Sequence, residues 1–181
     1  MMKKIVETER LYLRELSEDD FEELCAILQD EETMYAYEAP FTDEKVNEWL
    51  NWNLASYQKN SFGLWAIIDK NEEKFVGQCG IVYSDVEGKN LLEIGYLVNK
   101  KYWRQGYASE ASALCLDYAK NILKTPKICS IIRDTNIASQ TVAEKNGMTI
   151  VQEFHKDYSG LPVKHYVYSV DLVNELVKRK W

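Results

Sequence analysis

The stretch EIGYLVNKKYWRQGYASEA, residues 93–111, decides the fold. Its first half ends a strand, because LLEIGYLVN (91–99) is an apolar run without a breaker. Its second half opens a helix, SEASALCLDYAKN (109–121). Between them stand Arg104, Gln105 and Gly106, the last being one of only eight glycines in the chain. A strand that hands over to a helix through a glycine leaves main-chain N–H groups without acceptors, and an anion can approach them closely. Ala108 and Ser109 are small and keep the first turn open, Arg104 adds charge, and Gln105 adds amide donors. A diphosphate suits such a helix tip, although a plain strand–loop–helix connection would leave the same trace. Neither GxxxxGK[ST] nor GxGxxG occurs, which excludes a P-loop and a dinucleotide fingerprint.

Working outward, seven strands and four helices are expected. RLYLREL (10–16) alternates as a half-buried strand. Ser17 caps a helix over 18–30 that buries Phe21, Leu24, Cys25 and Leu28. Residues 31–41 are irregular, with Pro40 as breaker, and Thr42 caps a second helix over 43–60. Strands at 63–69, 74–85 and 91–99 are joined by short polar turns and pair antiparallel. Gly77 and Gly80 inside the second of these signal a bulge or close packing. A helix over 107–123, a strand over 127–133 and a helix opened by Asn136 and closed by Gly147 follow. Strands at 149–157 and 163–171 flank the turn YSGLP, and NELVKRKW (174–181) is a short helix or a frayed end. The order describes one mixed-sheet domain of α+β type over residues 1–181.

A length of 181 residues allows one full-sized core, and a net charge of −7 argues against nucleic-acid binding and favours cationic partners. Four cysteines without a CxxC, and two histidines, argue against a metal site. Cys25 and Cys115 fall on helical apolar positions as buried free thiols. With no apolar leader at the N-terminus and no run of the ~20 apolar residues a span needs, no membrane contact is expected, and the compartment is a reducing cytosol.

A second feature, NIASQTVAEKNGM (136–148), places Asn136 and Ser139 at a helix start, where simple capping is the plainest account. Together with TERLYLREL (8–16), the quoted stretch above and FHKDYSGLPVKHYVYSV (154–170), it resembles the GNAT superfamily of acyl-CoA-dependent N-acetyltransferases, and within it the RimJ/RimL-like branch. The resemblance implies a mixed, mostly antiparallel twisted sheet with a splay between its fourth and fifth strands, here 91–99 and 127–133. It implies acetyl-CoA as co-substrate, with its pantetheine arm on the backbone near Leu97 and Val98 and its diphosphate on the N–H groups of Arg104, Gln105, Gly106, Tyr107, Ala108 and Ser109. Asn136 would bond the arm, with Ser139 near the sulfur. The segment 31–59 would form the acceptor wall, with Tyr35, Tyr37, Phe41 and Trp49 as an aromatic pocket or as core, and Glu31, Glu32 and Glu38 adding negative charge.

The chain departs from the family in placing Trp103 three residues before the loop glycine, and Ala143 where many relatives carry a tyrosine that protonates the leaving thiolate. Ser139 is the substitute candidate. Glu93 is the candidate base for the attacking primary amine, as it shares a strand face with Leu91, Gly95 and Leu97; a salt-bridged strand glutamate is the alternative. A non-catalytic acyl-CoA sensor is the rival function, favoured by Ala143. Relatives also suggest a homodimer, for which the two C-terminal strands offer an edge.

Overall fold

The computed structural model describes residues 2–173, so the expected element at 174–181 lies outside the described residues. The sheet has eight strands rather than seven. The additional one, β1 (Lys4–Glu7), pairs antiparallel with β2 (Leu11–Glu15). Four residues with two half-buried apolar side chains carry too little alternation to announce themselves.

Beyond β2 the chain makes one 3₁₀ turn at Glu18–Asp20 and then helix α1 (Phe21–Leu28). Asp20 is the anchor of this corner. Its carboxylate accepts from the Ser17 N–H at 2.8 Å and takes both Arg14 guanidinium nitrogens at 2.8 Å. Leu24, Ile27 and Leu28 are buried, while Phe21 and Cys25, expected inside, are half-buried and pack against the margin of the core. Helix α2 (Asp43–Asn60) begins where expected, with Thr42 Oγ1 accepting from the Lys45 N–H.

Strands β3 (Leu64–Asp69), β4 (Lys74–Val86) and β5 (Lys89–Val98) form an antiparallel meander. The β4–β5 hairpin is tighter than its sequence suggests. Glu87 and Gly88 both have positive φ, 51° and 80°, and make a two-residue turn, so β5 starts at Lys89 instead of 91. Gly80 is there for a close approach, since a methyl group on it would lie 2.6 Å from Leu64 Cα.

Helix α3 (Tyr107–Tyr118) crosses over the sheet and finishes in a wider π turn through Leu123 before β6 (Lys127–Arg133). That crossover makes β5 and β6 the one parallel pair among the described residues. They share a single register pair, Glu93↔Cys129, and then diverge. Helix α4 (Ile137–Lys145) leads to the hairpin β7 (Thr149–Tyr158) and β8 (Leu161–Asp171). The strand order is β1-β2-β3-β4-β5-β6-β8-β7. Of the two C-terminal strands only β7 is therefore an edge, with Ile150 and Val151 exposed; β8 lies inside, paired on both sides.

The core runs under the β2–β5 meander and is built on Leu11, Leu13, Trp65, Ile67, Ile81 and Ile94. All four cysteines are free; Cys79, Cys115 and Cys129 are buried and Cys25 half-buried. Among the described residues no helix is long and apolar enough to cross a membrane, and no cluster of His, Cys, Asp and Glu could hold a metal ion.

Candidate active site

The divergence of β5 from β6 opens a cavity of about 1310 Å³, larger than a typical small-molecule pocket. Its closed end is pinned twice. The Ser130 hydroxyl donates to the Ile94 carbonyl at 2.9 Å, and the Ile131 N–H donates to Glu93 Oε1 at 3.2 Å. Past this point β5 has no β-partner on that side.

Strand parity fixes which main-chain groups face the opening. The Asn99 N–H donates to Val76 O in β4, and Ile94 O faces β6. Odd positions 95, 97 and 99 thus turn their N–H and C=O to β4, while 94, 96 and 98 turn theirs to the splay. This corrects the expectation for Leu97. Its main chain is spent on Gln78, and only its side chain lines the cavity. The free edge belongs to Tyr96 and to the Val98 N–H. The Val98 carbonyl is occupied, since the Trp103 indole N–H donates to it at 2.8 Å. Tyr96 is the residue the sequence reading passed over, although its parity with Val98 was available in the quoted stretch.

At the far end of the opening stands the tip of α3. Arg104 and Gly106 both have left-handed backbone, φ 60° and 81°. The Glu110 N–H is the first to find a helical acceptor, Gly106 O, at 3.0 Å. Among the described residues no acceptor meets the N–H groups of Tyr107, Ala108 and Ser109. Arg10 fixes the tip from behind. It donates to Gln105 O at 2.7 Å, pairs with Glu110 at 2.8 Å and stacks over the Tyr107 ring at 4.3 Å. The Tyr107 side chain points inward, its hydroxyl donating to Asp69 Oδ2 at 2.8 Å. Burial, and then that carboxylate, push the phenol up to about 12. Only the main chain of Tyr107 is therefore available to a ligand. Gln105 does not line the cavity; its exposed amide turns back to Lys101 O, so its expected donors point away.

Asn136 performs the plain task and more. Its Oδ1 accepts from the Ser139 N–H at 3.1 Å, which caps α4, and from the Tyr35 hydroxyl at 2.6 Å. Ser139 lines the cavity, and its hydroxyl has no partner among the described residues. Its carbonyl accepts from the Tyr96 hydroxyl at 2.7 Å, which holds that phenol at the start of α4. Ala143 itself is fully buried.

Glu93 lies at the closed end with both oxygens engaged, Oε1 by Ile131 and Oε2 by the Ser84 hydroxyl. Burial raises its pKa above the ordinary carboxylate value.

One wall of the cavity carries Tyr35, Tyr37, Phe41 and Trp49, together with Trp52. The rings form an edge-to-face chain, Tyr37–Phe41 at 6.2 Å and Phe41–Trp49 at 5.7 Å, so they serve as packing and as lining at once. The expected acidic wall is absent. Glu32 is held by Lys100 at 3.0 Å, and of Glu31, Glu32 and Glu38 only Glu38 lines the cavity. Lys45, Arg133 and Lys156 line it too. The hairpin β7–β8 closes this side, with the Tyr158 hydroxyl 3.3 Å from both the Ala36 carbonyl and His165 Nε2.

A strand edge open beside a helix tip with unpaired N–H groups is the geometry the resemblance calls for. A family model described as an acetyltransferase (GNAT) domain matches residues 10–149. The chain belongs to the GNAT acetyltransferase family. It is accordingly an acetyl-CoA-dependent acyltransferase with the family's N-acetyltransferase chemistry, which sets aside the sensor reading. An uncharacterized Bacillus subtilis protein, YkkB, is 37% identical over 142 residues, 78% of this chain and 83% of that protein. A GNAT-family acetyltransferase from Bacillus anthracis superposes with a TM-score of 0.78 at 28% identity, covering 92% of this chain and 98% of that one. The spermidine N-acetyltransferase of Vibrio cholerae, in complex with CoA and spermine, superposes with a TM-score of 0.74 over 91% of this chain and 97% of that one; at 15% identity it shares the fold alone.

Proposed function

We propose that this GNAT enzyme acetylates a primary amine, a protein α-amino terminus or a small-molecule amine, with both substrates held together in the splay. The observation that carries the reading is one cavity bounded by the open edge of β5, the tip of α3 and the aromatic wall of residues 35–52. The residues present fit an acyl-CoA. The Val98 N–H and the Tyr96 main chain offer strand-like contacts to a pantetheine arm. The N–H groups of Tyr107, Ala108 and Ser109, with Arg104 beside them, offer a seat to a diphosphate. Acetyl-CoA, when bound, supplies the activated acyl carbon. The chain's own groups orient it and stabilise developing charge, with the Val98 N–H as the donor nearest the expected carbonyl. The Ser139 hydroxyl, and the Tyr96 hydroxyl on leaving the Ser139 carbonyl, are the candidate donors to a departing sulfur.

The charge of the acceptor side argues about the amine. Lys45, Arg133 and Lys156 against Glu38 and Glu93 disfavour a polycation and favour an acceptor with a single amine. An acceptor of this kind agrees with a place in the RimJ/RimL-like branch, and a homodimer through the β7 edge belongs to the same proposal. The test is a thiol-release assay with acetyl-CoA over a panel of peptides with free N-termini, aminoglycosides, small metabolite amines and polyamines. Turnover is expected with a monoamine or a peptide and to be poorer with spermidine. A panel led by polyamines would contradict the acceptor reading, and no turnover with any amine would contradict the whole.

A further inference from the structure

Glu93 lies at the closed end of the splay, where each of its oxygens already accepts one hydrogen bond. Among the described residues, the cavity lining also holds one histidine. His165, on β8, is buried at 3% exposure and lines the acceptor side. Its Nδ1 lies 2.9 Å from the Val163 carbonyl, an oxygen that can only accept, so Nδ1 carries the hydrogen. Nε2 is then a lone pair, and it faces the Tyr158 hydroxyl at 3.3 Å. Tyr158 is half-buried at the wall where the acceptor is expected, and its one hydroxyl proton has two acceptors at 3.3 Å, the Ala36 carbonyl and Nε2, so a relay to His165 turns that proton from Ala36 to the imidazole.

Resting on the proposed reading of the cavity, we infer that Tyr158 is the catalytic residue that takes a proton from the incoming ammonium and that His165 acts through it as the positioning base. The 3.3 Å separation is long for a hydrogen bond, as catalytic contacts often are before substrate closes on them. The ammonium N–H bond breaks toward Tyr158 Oη as the phenol's own proton moves to His165 Nε2. The freed nitrogen lone pair forms the N–C bond to the acyl carbon while the C–S bond breaks. The second amine proton ends on the sulfur, and His165 returns its proton to solvent.

The surroundings suit the task. Burial lowers the imidazole pKa, and Lys156 on β7 and Arg133 on β6 lower it further, against the Val163 carbonyl and Asp134, which raise it. His165 is therefore neutral at pH 7. Burial first, and Glu38 less, raise the Tyr158 phenol, offset in part by Arg133, so Tyr158 keeps its proton and serves as a relay rather than a base. Phe154 and Tyr158 both pack against the ring, with centroids at 5.7 Å.

The test compares wild type with His165→Asn, Tyr158→Phe and Glu93→Gln, using the amine found by the panel. The acid limb of the wild-type kcat/KM profile is expected below about pH 6.5, the ordinary histidine value. Both relay variants should lose at least tenfold in kcat/KM and lose that limb, with the KM for acetyl-CoA unchanged, and the double variant should lose no more than either alone. An acid limb that survives in His165→Asn and Tyr158→Phe, or that disappears only in Glu93→Gln, overturns the inference. A wild type inactive with every amine would instead sink the reading beneath it. A second readout needs no turnover and no variant that might fail to fold: ¹⁵N NMR of the wild type, in which only His155 and His165 contribute. His165 should appear as the neutral Nδ1–H tautomer at pH 7. A protonated ring or the Nε2–H tautomer at that pH overturns the inference outright.

Discussion

At Gly80 a single methyl group would lie 2.6 Å from Leu64 Cα and nearer still to the Gly63 carbonyl. Both obstacles are main chain, and neither can rotate aside. The β3–β4 pairing on which the meander rests is therefore written in one hydrogen atom. Gly80→Ala is expected to cost about 3 kcal/mol in urea denaturation, the upper range for overpacking. Gly88→Asn, in an open turn that asparagine's left-handed tolerance suits, should change stability by less than about 0.5 kcal/mol. Equal midpoints for Gly80→Ala and wild type would contradict the close-approach account. The same scale shows what residue identity does not announce. Gln105 sits in the loop with an amide to offer, yet its donors turn to Lys101, because Arg10, distant in sequence, holds its carbonyl.

At the scale of the element, β5 has one side committed to β4 and the other left open, and Trp103 guards the end of the open side. Its indole N–H satisfies the Val98 carbonyl. Trp103→Phe keeps an aromatic ring and removes the donor. Stability should fall by about 1 kcal/mol, as for one unmade hydrogen bond to a buried carbonyl, and the KM for acetyl-CoA should rise while kcat changes less. An unchanged KM would separate Trp103 from the binding edge. The strand, the loop and helix α3 were all legible in residues 93–111, because an unbroken apolar run, a glycine and a helical stripe are local signals. The direction of each main-chain group was not read from them. Parity assigns Tyr96 and Val98 to the opening only once Asn99 is seen paired to Val76 in β4. The hairpin β7–β8 was legible as two strands and a turn, but its return to the segment before α2, which brings Tyr158 to Ala36, is a contact 122 residues apart that no local pattern encodes. Strand β1 was missed for the opposite reason, being held by its pairing with β2 and not by its own composition.

At the scale of the whole molecule, the fold splits its labour between two halves of one sheet. The meander β1–β5 carries the core and the open edge; β6, β8 and β7 close the opposite side of the cavity; and, among the described residues, one parallel pair joins them at Glu93 and Cys129. The cavity exists because that junction is one register pair long. Its main-chain donors stay unmatched within the described chain, a cost a folded protein carries where a ligand supplies the partners. Isothermal titration of acetyl-CoA into the purified, folded chain tests this most directly. The account predicts saturable heat with one site per chain, weakened by salt because a diphosphate is part of the contact. No heat with either acetyl-CoA or free CoA would contradict it.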